Sequence, residues 1–213
     1  TINIDAPTTD TGGGNICNGD GSCSDGGDGG DPGPGPGPDP SDCPTGTEEV
    51  SEGVCRLAGS ILEDLTLVAG NVYELDGRVN VGNGNCLLTD ATTCNNGDAL
   101  VSATLTIEPG VNVVGLPSDD PLNAAVLHIT RGSRIEAVGT AAAPIVFSSS
   151  DDDFVGPGEW GGAQISGFAP HNACDTDPCN VDGEGEAGFI GGDDAADDSG
   201  TMRYVVIAEN GVA

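Results

Sequence analysis

Two acidic runs carry the clearest chemical potential in this chain. Asp151-Asp152-Asp153 precedes Glu159, and Asp193-Asp194 is followed by Asp197-Asp198. A hard cation such as Ca²⁺ takes about six to eight oxygens from flexible loops, which makes both runs candidate calcium ligands. Neither has the spacing of an EF-hand loop, and the alternative is a solvated acidic loop. An eliminating enzyme acting on an acidic sugar would add a base to such a cation, often an arginine on an exposed face. Arg78, Arg131 and Arg134 are the residues in range. Arg131 falls at a glycine bend and Arg134 alternates outward, so both are expected to solubilise the surface or to pair with Glu136. His128 alternates with Leu127 and Ile129 and is expected to point outward, while His171 lies in a loop. Neither has a nucleophile arranged beside it. A glycosidase needs two positioned carboxylates, and among 35 acidic residues their presence alone discriminates nothing.

Eight cysteines fall into four close pairs: Cys17/Cys23, Cys43/Cys55, Cys86/Cys94 and Cys174/Cys179. An even count with near neighbours reads as local disulfides and an oxidising compartment, extracellular or at the cell surface. Zinc is the competing use, but it favours tighter Cys-x-x-Cys spacing and more histidine. The formal net charge is −30, with five arginines and no lysine. No basic patch exists to neutralise phosphates, which argues against nucleic-acid binding, and an anionic membrane would repel the chain. No apolar run is long enough for a helix to cross a bilayer. The charge serves solubility, and clustered carboxylates serve cation binding as well.

The elements that must position these residues are short strands that recur. Leu65-Thr-Leu67 leads through Gly70 to Val72-Tyr-Glu-Leu75, and Leu105-Thr-Ile107 leads through Gly110 to Val113. Leu127-His-Ile129 leads through Gly132 to Ile135 in the same way. Strict alternation puts every second side chain on one face, and glycine admits the positive-φ corner between strands. A unit this small must stack on the next copy to bury its apolar face. The fold expected is all-β, a right-handed parallel β-helix, with the Gly110-to-Gly132 interval as one coil. Gly82 to Leu100 reads as an insertion stapled by Cys86/Cys94, and 168–200 as loop stapled by Cys174/Cys179. Trp160, followed by two glycines, reads as a packed anchor between coils rather than a sugar-stacking platform.

Residues 1–42 are an extended segment rich in Gly, Asp and Pro, 43–59 a disulfide-closed loop, and 60–213 the β-helix. Thr1 reads as a processed N-terminus. Ile2 and Ile4 alternate with polar residues, as in a strand donated to a neighbouring copy on a flexible tether. Tyr204 and Val206 lie on the last strand, an edge expected to accept such a partner.

Three segments support a family resemblance: Gly139-Thr-Ala-Ala-Ala-Pro144-Ile-Val-Phe147, Gly158-Glu-Trp160-Gly-Gly, and Gly191-Gly-Asp-Asp194 followed by Asp198-Ser-Gly200-Thr-Met-Arg203-Tyr-Val. Over roughly residues 60–211 the chain resembles a largely uncharacterised family of secreted or lipid-anchored bacterial surface proteins. That resemblance implies a β-helix-like fold on the cell exterior and no established activity. Members run on past this point, so the chain reads as a fragment or a short member. The expected function is that of a non-enzymatic extracellular structural protein, a homo-oligomer or self-assembling filament subunit. The alternatives are a Ca²⁺-dependent polysaccharide-active enzyme and a monomeric adhesin or glycan-binding module.

Overall fold

A computed structural model of the chain describes residues 42–118, 120, 123–151 and 156–211, with the backbone alone at 16–17 and 23–24. It divides into two units, Thr1–Gly37 and Pro38–Ala213. In the first, Ile16–Cys17 pairs antiparallel with Cys23–Ser24. The side chains of Cys17 and Cys23, and the proposed donor residues Ile2 and Ile4, lie outside the described residues.

The second unit is a parallel β-helix with three strand-bearing faces. Face A stacks the first half of Val54–Ile61 on the first half of Val72–Val81, then Asn112–Gly115, Ile145–Ser149 and Val205–Ile207. Face B stacks the second halves of the two long strands, then Val126–Ile129 and Gly162–Ile165. Face C stacks Leu65–Leu67, Thr104–Ile107, Arg134–Val138 and Gly200–Arg203. All of these pairings are parallel, and the described residues contain no α-helix. The first coil is overlaid by Glu48–Ser51, which pairs antiparallel with Val54–Ile61, and Cys43 is bonded to Cys55 there.

Alternation places one residue in two inside the coils, where equivalent positions stack in ladders. Leu65, Leu105 and Ile135 form one such ladder, and Tyr73, Val113 and Phe147 another, all of them buried. Each aliphatic side chain sequestered in this way contributes roughly 1.5–3 kcal/mol. Trp160 is buried, stacks on Phe147 with centroids 6.4 Å apart, and donates its indole N–H to the Ala208 carbonyl at 2.7 Å. Gly115 makes the room, since a Cβ there would meet the Trp160 Cβ at 2.6 Å.

The third recurrence has a different phase from the one its sequence suggests. Leu65-Thr-Leu67 and Leu105-Thr-Ile107 lie on face C and lead into face A. Leu127-His-Ile129 lies on face B and leads into face C. The face C partner of Leu105 is Ile135, and the coil that starts at Asn112 closes at Val146. Gly110-to-Gly132 is therefore not one coil: two corners of the same coil share a strand-glycine-strand pattern.

Candidate functional site

Two long insertions leave the coil stack at the corner between faces B and C. Residues 82–103 carry the hairpin Leu88–Asp90 with Thr93–Cys94 and the Cys86–Cys94 disulfide. Residues 166–199 carry Val181–Asp182 paired with Phe189–Ile190 and the Cys174–Cys179 disulfide. The coil between them turns this corner tightly, over 130–133, and presents Arg131 to both insertions. Its Nε donates to the Gly84 carbonyl at 2.7 Å. Nη1 donates to Cys179 O at 2.7 Å and Gly191 O at 3.2 Å. Nη2 donates to Cys86 O at 2.7 Å and reaches Asn180 Oδ1 at 3.4 Å. The Phe168 ring lies 5.5 Å from the guanidinium carbon. All five N–H groups of the fork are engaged, a geometry lysine cannot reproduce.

The expectation that Arg131 solubilises the surface or pairs with Glu136 is therefore corrected. The side chain is 0% exposed and is solvated by backbone carbonyls instead of water. Burial lowers its pKa to about 10, which leaves it protonated at neutral pH. Arg134 does pair with Glu136, at 3.0 Å, and also with Asp198 at 3.0 Å.

His128 is corrected as well. It leaves the coil on face B, as alternation requires, yet it is fully buried. Its Nδ1 lies 3.1 Å from Asn80 Oδ1 and its Nε2 lies 2.8 Å from Ser166 Oγ. The second insertion covers this face: Arg78 donates to Gln164 Oε1 at 2.7 Å and to the Gly185 carbonyl. Burial first, and the Arg78 charge second, push the His128 pKa down to about 4. The imidazole is thus a neutral, doubly hydrogen-bonded structural group at neutral pH. His171 is exposed and accepts from its own loop at Ala173 N.

Between the insertions lies a cleft of about 450 Å³ whose lining includes Phe168, Pro178, Asp177, Asp193 and Asp194. Asp194 caps its own turn through Ala196 N. Asp198 accepts from Gly200 N and pairs with Arg134, and these contacts, in that order, lower its pKa. Among the described residues, Asp193, Asp194, Asp197 and Asp198 do not bring three ligand atoms within 4.8 Å of one another.

The described residues gather such a set at the corner between faces A and B. One carboxylate oxygen each from Asp151, Glu159 and Glu209 lies within 4.8 Å of the others. The Ser149 hydroxyl sits among them, 2.7 Å from Asp151 Oδ1 and 2.6 Å from Glu159 Oε2, and Ser149 N donates to Glu209 Oε2 at 3.0 Å. The Ser149 hydroxyl lowers the Glu159 pKa, but desolvation and the Asp151 and Glu209 carboxylates outweigh it and raise the pKa overall. Asp152 and Asp153 lie outside the described residues. Glu209 carries no local sequence signal, because only the stacking of Val205–Ile207 on Ile145–Ser149 brings it here.

Tyr204 and Val206 are 53% and 44% exposed on the last described coil. Three disulfides are formed in the second unit, which fits an oxidising environment. Among the described residues no helix is long and apolar enough to cross a membrane.

A stack of parallel coils carrying stapled insertions on one corner defines a disulfide-braced β-helix. The chain belongs to the pectate-lyase-like β-helix domain family, whose model matches residues 59–213. Comparison with curated proteins gives no match, and comparison with solved structures gives none either.

Proposed function

We propose that this protein is a non-enzymatic β-helix of the bacterial surface or extracellular matrix, assembling into fibres from copies of itself. The observation that carries the reading is the use made of Arg131 and His128. The best-placed base candidates are buried, fully partnered and spent on holding the insertions to the coils. Fold kinship alone assigns no lyase chemistry to such a domain.

The fibre reading draws on the last described coil. Val205–Ile207 pairs on one side only among the described residues, and Tyr204, Val206 and Ile207 are exposed beside it. Such an edge takes either a further coil of a longer chain or a second copy, and the fibre reading commits to the copy. A second reading, glycan binding, draws on the cleft between the insertions, which Phe168 lines together with Asp177, Asp193 and Asp194.

The test is electron microscopy of the protein, of the same chain lacking residues 1–6, and of Val206→Asp. Filaments lost in either variant support self-assembly. Monodisperse particles in all three samples, with saturable glycan binding that Phe168→Ala weakens, replace the fibre reading by the second. Calcium-dependent release of unsaturated sugars from an acidic polysaccharide overturns the non-enzymatic reading altogether.

A further inference from the structure

We propose that Asp151, Glu159 and Glu209, with the Ser149 hydroxyl, form a calcium site that fastens the last described coil to the one before it. This inference stands apart from the fibre reading and survives its failure.

The decisive residue is Glu209. It is 7% exposed, and its Oε2 accepts from Ser149 N while its Oε1 has no hydrogen-bond partner. A buried carboxylate with an unsatisfied oxygen is costly unless something positive meets it. Two further carboxylates, Asp151 and Glu159, converge on the same place.

Among the described residues no arginine reaches the open Glu209 oxygen. The chain has no lysine, and each of its five arginines is engaged elsewhere. Arg56 pairs with Glu74, and Arg134 with Glu136 and Asp198. Arg78 reaches Gln164 and Gly185, Arg131 serves the insertions, and Arg203 lies over Tyr204. The donor set is all oxygen, with neither histidine nor cysteine, which selects a hard cation over zinc. Asp151 and Glu159 both lie outside the regular strands, after Ile145–Ser149 and before Gly162–Ile165. Calcium tolerates irregular, loop-borne oxygens, whereas magnesium demands near-octahedral geometry.

The protein contains its own reporter for this site. Trp160 is its single tryptophan, follows Glu159 directly, and is hydrogen-bonded to the carbonyl of Ala208, next to Glu209. Terbium, a luminescent stand-in for calcium, is therefore to be titrated into chelator-stripped protein with excitation through Trp160. The expected result is saturable emission that calcium displaces. Glu209→Gln and Glu159→Gln should each weaken terbium binding at least about tenfold, while Asp194→Asn on the other acidic loop leaves it unchanged. Calcium should also raise the Tm of the parent protein and not that of Glu159→Gln. If Glu209→Gln does not fold, Glu159→Gln carries the test, since its carboxylate is only partly buried. Absence of saturable emission overturns the proposal. So does emission of unchanged affinity in the Glu159→Gln protein, which would mark diffuse binding to an acidic surface.

Discussion

Replacing Arg131 by methionine keeps the aliphatic stem and removes five donors at once. Four backbone carbonyls, those of Gly84, Cys86, Cys179 and Gly191, lose the N–H that serves them. A buried acceptor left unsatisfied costs about 1–3 kcal/mol, so the sum has an upper bound of roughly 4–12 kcal/mol. Two effects reduce it. The variant no longer buries a cation, which recovers several kcal/mol of desolvation, and water can enter once the insertions loosen. The expected net loss is about 3–5 kcal/mol, the range typical of breaking a buried charged network. It should fall on the docking of the insertions and spare the coil stack, because every lost acceptor belongs to 82–103 or 166–199. The assay is native-state hydrogen exchange. Phe189 N–H, bonded to Asn85 O at 2.9 Å across the two insertions, reports docking, and Val146 N–H, bonded to Val111 O at 3.1 Å, reports the coils. At about 1.4 kcal/mol per tenfold, Phe189 should exchange at least about 100-fold faster in Arg131→Met, with Val146 little changed. Lysine should rescue only part of the loss, since one ammonium cannot reach carbonyls on both sides of a guanidinium fork. Phe189 exchange within tenfold of the parent protein would refute the assignment of Arg131 as the pin.

Two other expectations follow from single residues. His128 has a folded pKa of about 4 against about 6.5 unfolded, so the unfolded chain binds the proton first as pH falls. The stability it contributes is complete above about pH 6.5 and is lost as pH drops through about 4, by roughly 3 kcal/mol over the window. Urea titrations at a series of pH values should show that component in the parent protein and not in His128→Gln; equal pH slopes would disprove it. Gly200 has φ +114°, and a Cβ there would sit 1.9 Å from the Ile135 carbonyl oxygen, inside the face C ladder. Gly200→Ala should destabilise by about 3 kcal/mol or more in the same titration, whereas a loss below about 1 kcal/mol would mean the ladder yields there without strain.

The coil architecture was legible because its signals are local. Period-two alternation in Leu65-Thr-Leu67 or Leu105-Thr-Ile107 and the glycine that follows each specify strand and corner within a few residues. The phase of the third recurrence was not, since a face B strand such as Leu127-His-Ile129 obeys the same alternation as a face C strand. Trp160 was readable as a packed anchor, for large aromatics beside glycines rarely stay exposed in a stack. Arg131 and His128 were misread for one shared reason. Alternation correctly sends His128 out of the coil interior and the glycine bend places Arg131 at a corner, but whether the outside is water depends on where distant insertions fold. The acid cluster was half legible. Asp151 and Glu159 are near neighbours in sequence, whereas Glu209 joins them only through the stacking of successive coils.

The distribution of polar groups narrows where any partner can bind. On face B the outward row runs Asn80, His128, Gln164, and the Arg78 contact to Gly185 shows the second insertion lying over it. His128 is buried there, while Arg78, Asn80 and Gln164 are half-buried. Face C differs: its outward row, Thr66, Thr106, Glu136 and Thr201, is exposed or half-exposed and continuous across four coils. A polymer or a neighbouring copy lying along face C meets threonines and Glu136, and one entering the cleft meets Phe168. It does not meet His128 or Arg131, whose donors and acceptors are already matched within the fold. Carboxylates also gather at the corner between faces A and B. There the Asp151, Glu159 and Glu209 set is the one grouping among the described residues close enough to hold an ion.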